Sequence, residues 1–268
     1  MNHKEHFDRH GFALVQGLYS ADEAASLRDH YMNIRERGAF SGDMGELGPA
    51  SSDPLLRYPR MINMHRSDES SLEWLLSDRI TSHVARFLDE EPFAVQTMLY
   101  FKPAGARGQA LHQDQYYLRA APGTCVAAWM ALDEIDEANG CLQVVSGSHR
   151  LPLLCVEQAD TTQSFTDASV SLPDGLAAEP VVMSPGDVLF FHGQLIHGSY
   201  PNVTPDRFRR ALIAHYINSS AEKIADYYFP LLRMDGSEVR LVDNAPGGPC
   251  GRFVDRDGHP IVEMTHAA

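Results

Sequence analysis

No run of about 18 apolar residues occurs anywhere in the chain, which excludes a membrane-spanning helix. The opening stretch, MNHKEHFDRHGF, lacks the apolar segment of a secretory leader, so a cytoplasmic protein is expected. Cysteine is sparse: Cys125, Cys141, Cys155 and Cys250 form no C-x-x-C pair and no zinc-ribbon spacing. They read as buried free thiols in a reducing compartment. Basic charge is short too, with 22 Lys and Arg against 36 Asp and Glu and a formal net charge of −14. Such a chain is a poor partner for nucleic acid phosphates. Neither an H-E-x-x-H motif nor a Ser-His-Asp signature is evident, which disfavours a zinc or serine hydrolase. There is no internal repeat and no low-complexity linker. At 268 residues one domain with appendages is the expectation.

What is present falls into three stretches. Residues 1–92 read as a helical support with a lid loop. Ser20-x-x-Glu23 fits a capping box that starts a helix, and Gly38 is placed to end it. Residues 39–60 are rich in Gly, Ser, Pro and Asp and read as loop. From Ser71 to Asp89, Leu72, Leu75, Leu76, Ile80, Val84 and Leu88 recur at helical spacing, so one helix with one buried face is expected. In residues 93–217 short apolar or alternating runs replace the helical texture: Phe93–Phe101, Gly108–Gln113, Cys125–Leu132, Leu142–Val145, Val181–Met183, Asp187–Phe191 and Arg210–Ile217. Turn signals between them indicate a sandwich, barrel or jelly roll, interrupted by a polar insertion over 157–178. Residues 218–268 read as a wrap of loops and short strands.

Thirteen histidines are the richer signal. In Leu111-His112-Gln113-Asp114, an extended backbone would put His112 and Asp114 on one face, because side chains alternate along a strand. That makes two thirds of a two-histidine, one-carboxylate metal site, the arrangement that leaves positions open on iron. The third ligand must come from another strand, and spacing leaves two candidates: His192, which ends the apolar run Val188-Leu-Phe-Phe, and His197, in a Gly-flanked turn. Twelve residues after His197 a strand begins with Arg209 and Arg210, which must face opposite sides. One of them would enter the barrel and grip a carboxylate through two parallel donors, as a guanidinium does and an ammonium does not.

The blocks Thr97-Met-Leu, Leu111-His-Gln-Asp-Gln-Tyr-Tyr117, Ala128-Trp129, Asn139-Gly-Cys-Leu-Gln-Val-Val-Ser-Gly-Ser-His149, Gly186-Asp-Val-Leu-Phe-Phe-His192, Leu195-Ile-His-Gly-Ser199 and Phe208-Arg-Arg-Ala211, taken in order, resemble the phytanoyl-CoA dioxygenase family. That family is a branch of the Fe(II)- and 2-oxoglutarate-dependent oxygenases. The resemblance implies a mainly β fold with flanking helices and a double-stranded β-helix (jelly-roll, cupin-like) core. It implies His112, Asp114 and His197 as iron ligands, with 2-oxoglutarate and O2 as cosubstrates. It implies Arg209 and Ser199 on the distal carboxylate of 2-oxoglutarate, and Met98 and Trp129 lining its pocket. Arg209 sits one residue farther from His197 than the family spacing, which implies an insertion within 201–206. Halogenating relatives replace the acid of the H-x-D motif with a small residue; with Asp114 present, hydroxylation of a small-molecule metabolite or biosynthetic intermediate is expected. An acyl-CoA 2-hydroxylase and a non-catalytic metal-binding jelly roll are the alternatives. Gln113, Tyr116 and Tyr117 are expected in or beside the site. Arg60, Asn63, His65 and Arg66 are placed to reach the pocket mouth, and His149 is given no catalytic role. A monomer or homodimer is expected.

Overall fold

The computed structural model describes residues 2–45, 53–257 and 259–265, so the middle of the long first loop lies outside the described residues. Two helices begin on reciprocal caps. Ser20 and Glu23 start Ala21–Glu36, and Gly38, at φ 116°, follows the Arg37 cap as expected. The earlier helix, His3–His10, has no apolar stripe to reveal it, yet carries the same chemistry. The Glu5 amide donates to Asn2 Oδ1 at 2.9 Å, the Glu5 carboxylate accepts from the Asn2 amide, and Gly11 closes the helix in the left-handed region.

The single helix expected between Ser71 and Asp89 is in fact two, Glu69–Leu75 and Asp78–Leu88. Ser77, with ψ 128°, breaks the ladder between them, and Asp68 caps the first by accepting from the Ser71 amide at 2.9 Å. The break lets two short stripes face the same sheet: Trp74 and Leu75 from one helix, Ile80, Val84 and Phe87 from the other, all buried.

Two antiparallel sheets carry the rest. The larger runs Phe12–Val15, Val188–His192, Cys125–Ala131, Arg209–Asn218 and Pro92–Lys102, with Arg60–Ile62 on the far edge of Pro92–Lys102. The smaller runs Glu179–Val181, Leu142–Val144, His197–Ser199 and Gln109–His112. Strand parity decides which layer each residue joins. Val126, Ala128 and Met130 face the helices, packing with Ile80, Val84 and Phe190. Ala127, Trp129 and Ala131 face inward and pack with Leu142 and Val144 of the smaller sheet. Buried on both faces, Cys125–Ala131 reads as a continuous apolar run for that reason. The result is the jelly roll expected from the sequence.

Cysteine corrects one expectation. Cys155 and Cys250 form a disulfide, and only Cys125 and Cys141 are free. The C-terminal hairpin Cys250–Arg256/His259–Thr265 docks beside the 150s loop, where the Cys155 amide donates to the Gly251 carbonyl at 2.9 Å. A partner 95 residues away in the chain cannot be read from spacing. Among the described residues no helix is long and apolar enough to cross a membrane.

Candidate metal centre and its cavity

Three of the histidine and acid side chains named above converge. His112 ends the strand Gln109–His112, and His197 begins the strand His197–Ser199 directly opposite, as its register partner. Asp114 arrives by a different route from the one expected. Its backbone is helical (φ −61°, ψ −31°) and opens the one-turn helix Gln115–Leu118, so a turn at the strand end, not strand alternation, brings it beside His112. One potential ligand atom from each of the three lies within 4.8 Å of the others. Asp114 Oδ1 is 3.4 Å from His112 Nε2 and 3.7 Å from His197 Nε2. All three residues are buried.

The outer ring of contacts sets which atoms point inward. His112 Nδ1 is 2.9 Å from the Ala110 carbonyl and His197 Nδ1 is 3.0 Å from the Leu195 carbonyl. A carbonyl only accepts, so each Nδ1 carries the proton and each Nε2 offers a lone pair. The other oxygen of Asp114, Oδ2, accepts from His215 Nε2 at 2.9 Å. His215 in turn accepts at Nδ1 from Gln96 Nε2, 3.1 Å away, which fixes its tautomer as the donor form. Gln96 and His215 thus hold the acid so that Oδ1 is left for a cation.

Charge follows the same logic. Burial pulls Asp114 upward, but the imidazoles of His197 and His215 and the hydrogen bond from His215 prevail and hold it well below the usual carboxylate range. His197 is pushed down to about 4, first by burial and then by His112. At neutral pH Asp114 is thus ionised and His197 neutral, the form in which each can hold a divalent metal. The donor set is that of an open iron site and not of a four-ligand structural zinc.

The second cluster is cationic. Arg209 and Lys102 are register partners on neighbouring strands and both are 2% exposed. Arg209 Nε and Nη2 donate to the Gly140 carbonyl at 3.1 and 3.0 Å, and its guanidinium lies 5.2 Å from the Trp129 ring centre. Lys102 Nζ donates to Ser199 Oγ at 2.8 Å and to the Tyr200 carbonyl. No ion pair involves either cation among the described residues. Burial pushes Arg209 down to about 10, and burial followed by the Arg209 charge lowers Lys102 well below its usual value. Two buried basic side chains with no ion-pair partner among the described residues form an arrangement suited to an anion. Ser199 stands two residues beyond His197 on the same strand, about 7 Å along it, the span of a five-carbon diacid.

Arg210 takes the opposite face, as strand parity demands, and pairs with Asp133 through two bonds of 2.6 and 2.9 Å. His192 is not part of the centre: its Nδ1 accepts from the Gln194 amide, and its ring lies beside Phe7 and His149. Gln113 is a strut, donating to the Pro152 and Gln194 carbonyls. His149 donates to the Asp8 carbonyl from its place against Gly11.

A cavity of about 1030 Å3 opens over His112 and Asp114. Met98, Tyr116, Tyr117 and Arg60 line it as expected, whereas Asn63, His65 and Arg66 do not. His65 is buried against Thr97 Oγ1, and Arg66 donates to the carbonyls of Tyr228 and Phe229. Trp129 sits under Arg209 and does not reach the cavity wall. Four contributors escaped the sequence reading: Gln96, Tyr100, Lys102 and His215. Parity was the available signal, since Gln96, Tyr100 and Lys102 share Met98's face on one strand and His215 shares Arg209's face on the next.

Fold and donor set together define an oxygenase of the iron- and 2-oxoglutarate-dependent class. More narrowly, the chain belongs to the phytanoyl-CoA dioxygenase (PhyH) family, which it matches over residues 7–211. It is 29% identical over 237 residues to the peroxisomal phytanoyl-CoA dioxygenase of Mus musculus, covering 84% of this chain and 70% of that one. To the ectoine dioxygenase of Stutzerimonas stutzeri it is 26% identical over 220 residues, 75% and 71% of the two chains. Its fold is similar to that of the epimerase SnoN solved with Fe3+, alpha-ketoglutarate and nogalamycin RO, with a TM-score of 0.66 at 19% identity, over 82% of this chain and 84% of that one.

Proposed function

We propose that this chain hydroxylates an unactivated C–H bond of a small-molecule metabolite or biosynthetic intermediate, consuming 2-oxoglutarate and O2 and releasing succinate and CO2. The observation that carries the reading is the pairing of two poles: a three-donor set with its lone pairs aimed inward, and buried cations without an acid one strand-step away. His112 Nε2, Asp114 Oδ1 and His197 Nε2 would hold Fe(II). Bound iron supplies the activation of O2 that no side chain here can provide. The protein's own part is orientation. The Ala110 and Leu195 carbonyls fix the two imidazoles, and His215 fixes the acid. Gln109 Nε2, 3.2 Å from His112 Nε2, must turn away when a cation takes that lone pair.

Arg209, Lys102 and Ser199 would receive the far carboxylate of 2-oxoglutarate, with Trp129 packed beneath Arg209 and Met98 on the cavity wall. Arg209 offers fixed parallel donors and Lys102 a point charge, so the first sets direction and the second adds field. Asp114 favours oxygenation over halogenation, since its carboxylate fills the position a halide would need. A cytoplasmic location belongs to the same reading. The Cys155–Cys250 bond bears against it, because such bonds persist mainly in oxidising compartments.

Anaerobic addition of Fe(II) and then 2-oxoglutarate to the purified protein tests the reading. A visible charge-transfer band that needs both additions supports it; Fe(II) binding with no 2-oxoglutarate-dependent band would leave a metal-binding jelly roll without oxygenase chemistry.

A further inference from the structure

The chain is strongly acidic, yet the cavity over the metal centre is not. Four arginines border it, against two acids, Asp114 and Asp167. Asp114 is committed to the metal set, and Asp167 is exposed at the rim. Three of the four arginines are also accounted for. Arg107 donates to Asp53 at 2.6 Å and to the carbonyls of Thr161 and Ser164. Arg119 Nε donates to the Asn244 carbonyl, and Arg252 is exposed on the C-terminal hairpin.

Arg60 differs from the rest. It begins the strand Arg60–Ile62, which pairs with Pro92–Lys102 so that Ile62 stands opposite Met98. Parity puts Arg60, Ile62, Met98 and Tyr100 on one face, and all four line the cavity. The half-buried guanidinium lies 5.4 Å from the Tyr100 ring centre and 5.0 Å from that of Phe165. Its described hydrogen bond is from Nη1 to the Tyr100 hydroxyl, at 3.2 Å. Among the described residues it has neither a carboxylate nor a carbonyl partner. Rings beside a guanidinium occupy its faces and hold it in place, while its in-plane donors remain for a planar, bidentate acceptor. Tyr117 lies in the same wall, its ring 6.0 Å from that of His112, and its hydroxyl senses the charges of both Asp114 and Arg60. Arg60 therefore shares one chamber with the metal centre, a chamber whose lining includes neither Arg209 nor Lys102.

We propose that Arg60 anchors a carboxylate of the substrate, so that the enzyme takes an organic acid whose flat or apolar body lies along Tyr100, Phe165, Tyr116 and Tyr117. This rests on the oxygenase reading above and adds the substrate class to it. A cavity of about 1030 Å3 admits a body well beyond amino-acid size. With the acid held at Arg60, the C–H bonds presented to the metal belong to the far part of the body, not to the carbon beside the acid.

The test uses the protein loaded anaerobically with Fe(II) and 2-oxoglutarate and measures binding by calorimetry, with no turnover required. The probes are 2-naphthoate and its neutral methyl ester. The expected result is at least tenfold tighter binding of 2-naphthoate in the wild type. In Arg60→Met this preference disappears, in Arg60→Lys part of it returns, and 2-oxoglutarate affinity is unchanged in both. Equal binding of acid and ester, no binding of either, or a preference that survives Arg60→Met overturns the proposal. So does displacement of 2-naphthoate by equimolar inorganic phosphate, which would mark a phosphate site. A loss of 2-oxoglutarate affinity in Arg60→Met as large as in Arg209→Met would assign Arg60 to the cosubstrate instead. If the charge-transfer band never forms in the wild type, the oxygenase reading itself fails before any probe is added, and the substrate proposal falls with it.

Discussion

The two poles of the site are solved by opposite electrostatic strategies. At the metal pole every outward-facing atom is already satisfied: two ring N–H groups on carbonyls, one carboxylate oxygen on His215, and His215 on Gln96. At the cationic pole Arg209 and Lys102 are buried on neutral acceptors, a carbonyl, a hydroxyl and another carbonyl, with no ion-pair partner among the described residues. The first is preorganised, and loading would ask only that Gln109 turn from His112. The second is left electrically incomplete, and an incoming carboxylate supplies what the fold withholds. A preorganised metal set beside an unbalanced cationic pole would make 2-oxoglutarate binding depend steeply on the charge at that pole.

That contrast can be broken from either side. The largest effect is expected from Asp114→Ala, which removes the only charged donor and leaves His215 without its acceptor. Iron content by elemental analysis should fall to background and hydroxylation by a factor of about 1000 or more; stoichiometric iron in this variant would remove Asp114 from the ligand set. Next comes the cationic pole. Arg209→Met should raise the 2-oxoglutarate requirement by about 100-fold, the equivalent of losing a charge-assisted, two-point contact. Lys102→Met should cost about tenfold, and iron content should be untouched in both. Equal effects on iron and 2-oxoglutarate would erase the distinction between the poles.

His215→Phe sharpens the comparison at smaller scale. The acid stays but its far oxygen is freed, and iron affinity should drop by about 10–100-fold, as loss of an orienting partner does elsewhere. An unchanged affinity would make His215 a packing residue. The smallest effect at neutral pH concerns acid stability. His65, His192 and His197 are each pushed down to about 4, in every case first by burial. Between about pH 6.5 and 4 the unfolded chain takes up protons that these rings refuse, so the metal-free fold loses stability as pH falls. Each ring contributes up to about 1.4 kcal/mol per pH unit in that window. Urea midpoints at pH 7.5 and 5.0 measure it, and midpoints that coincide would show the rings to be protonated in the native state.

Much of this was legible in the residues, for identifiable reasons. Apolar runs bounded by turn residues announced the strands Cys125–Ala131 and Arg209–Asn218, and two adjacent arginines had to part, one inward and one to Asp133. The jelly roll and the identity of His112, Asp114 and His197 followed from ordered blocks, although Asp114 reaches its place by a helical turn that an extended reading missed. Periodicity could not see the break at Ser77, because Leu76 and Ile80 stand four residues apart and carry the apolar rhythm across it. Nor does a polar helix such as His3–His10 show a stripe. Contacts remote in sequence, Cys155 with Cys250 and His215 with Asp114, depend on how sheets and hairpins dock, which no local pattern encodes.

A crystal structure with Fe(II) and 2-oxoglutarate, grown without oxygen, addresses both poles at once. The account predicts anomalous density for one iron bonded to His112 Nε2, Asp114 Oδ1 and His197 Nε2, and the far carboxylate of the cosubstrate on Arg209 and Lys102. Iron held by other residues, or a cosubstrate carboxylate lying away from that cation pair, would contradict it.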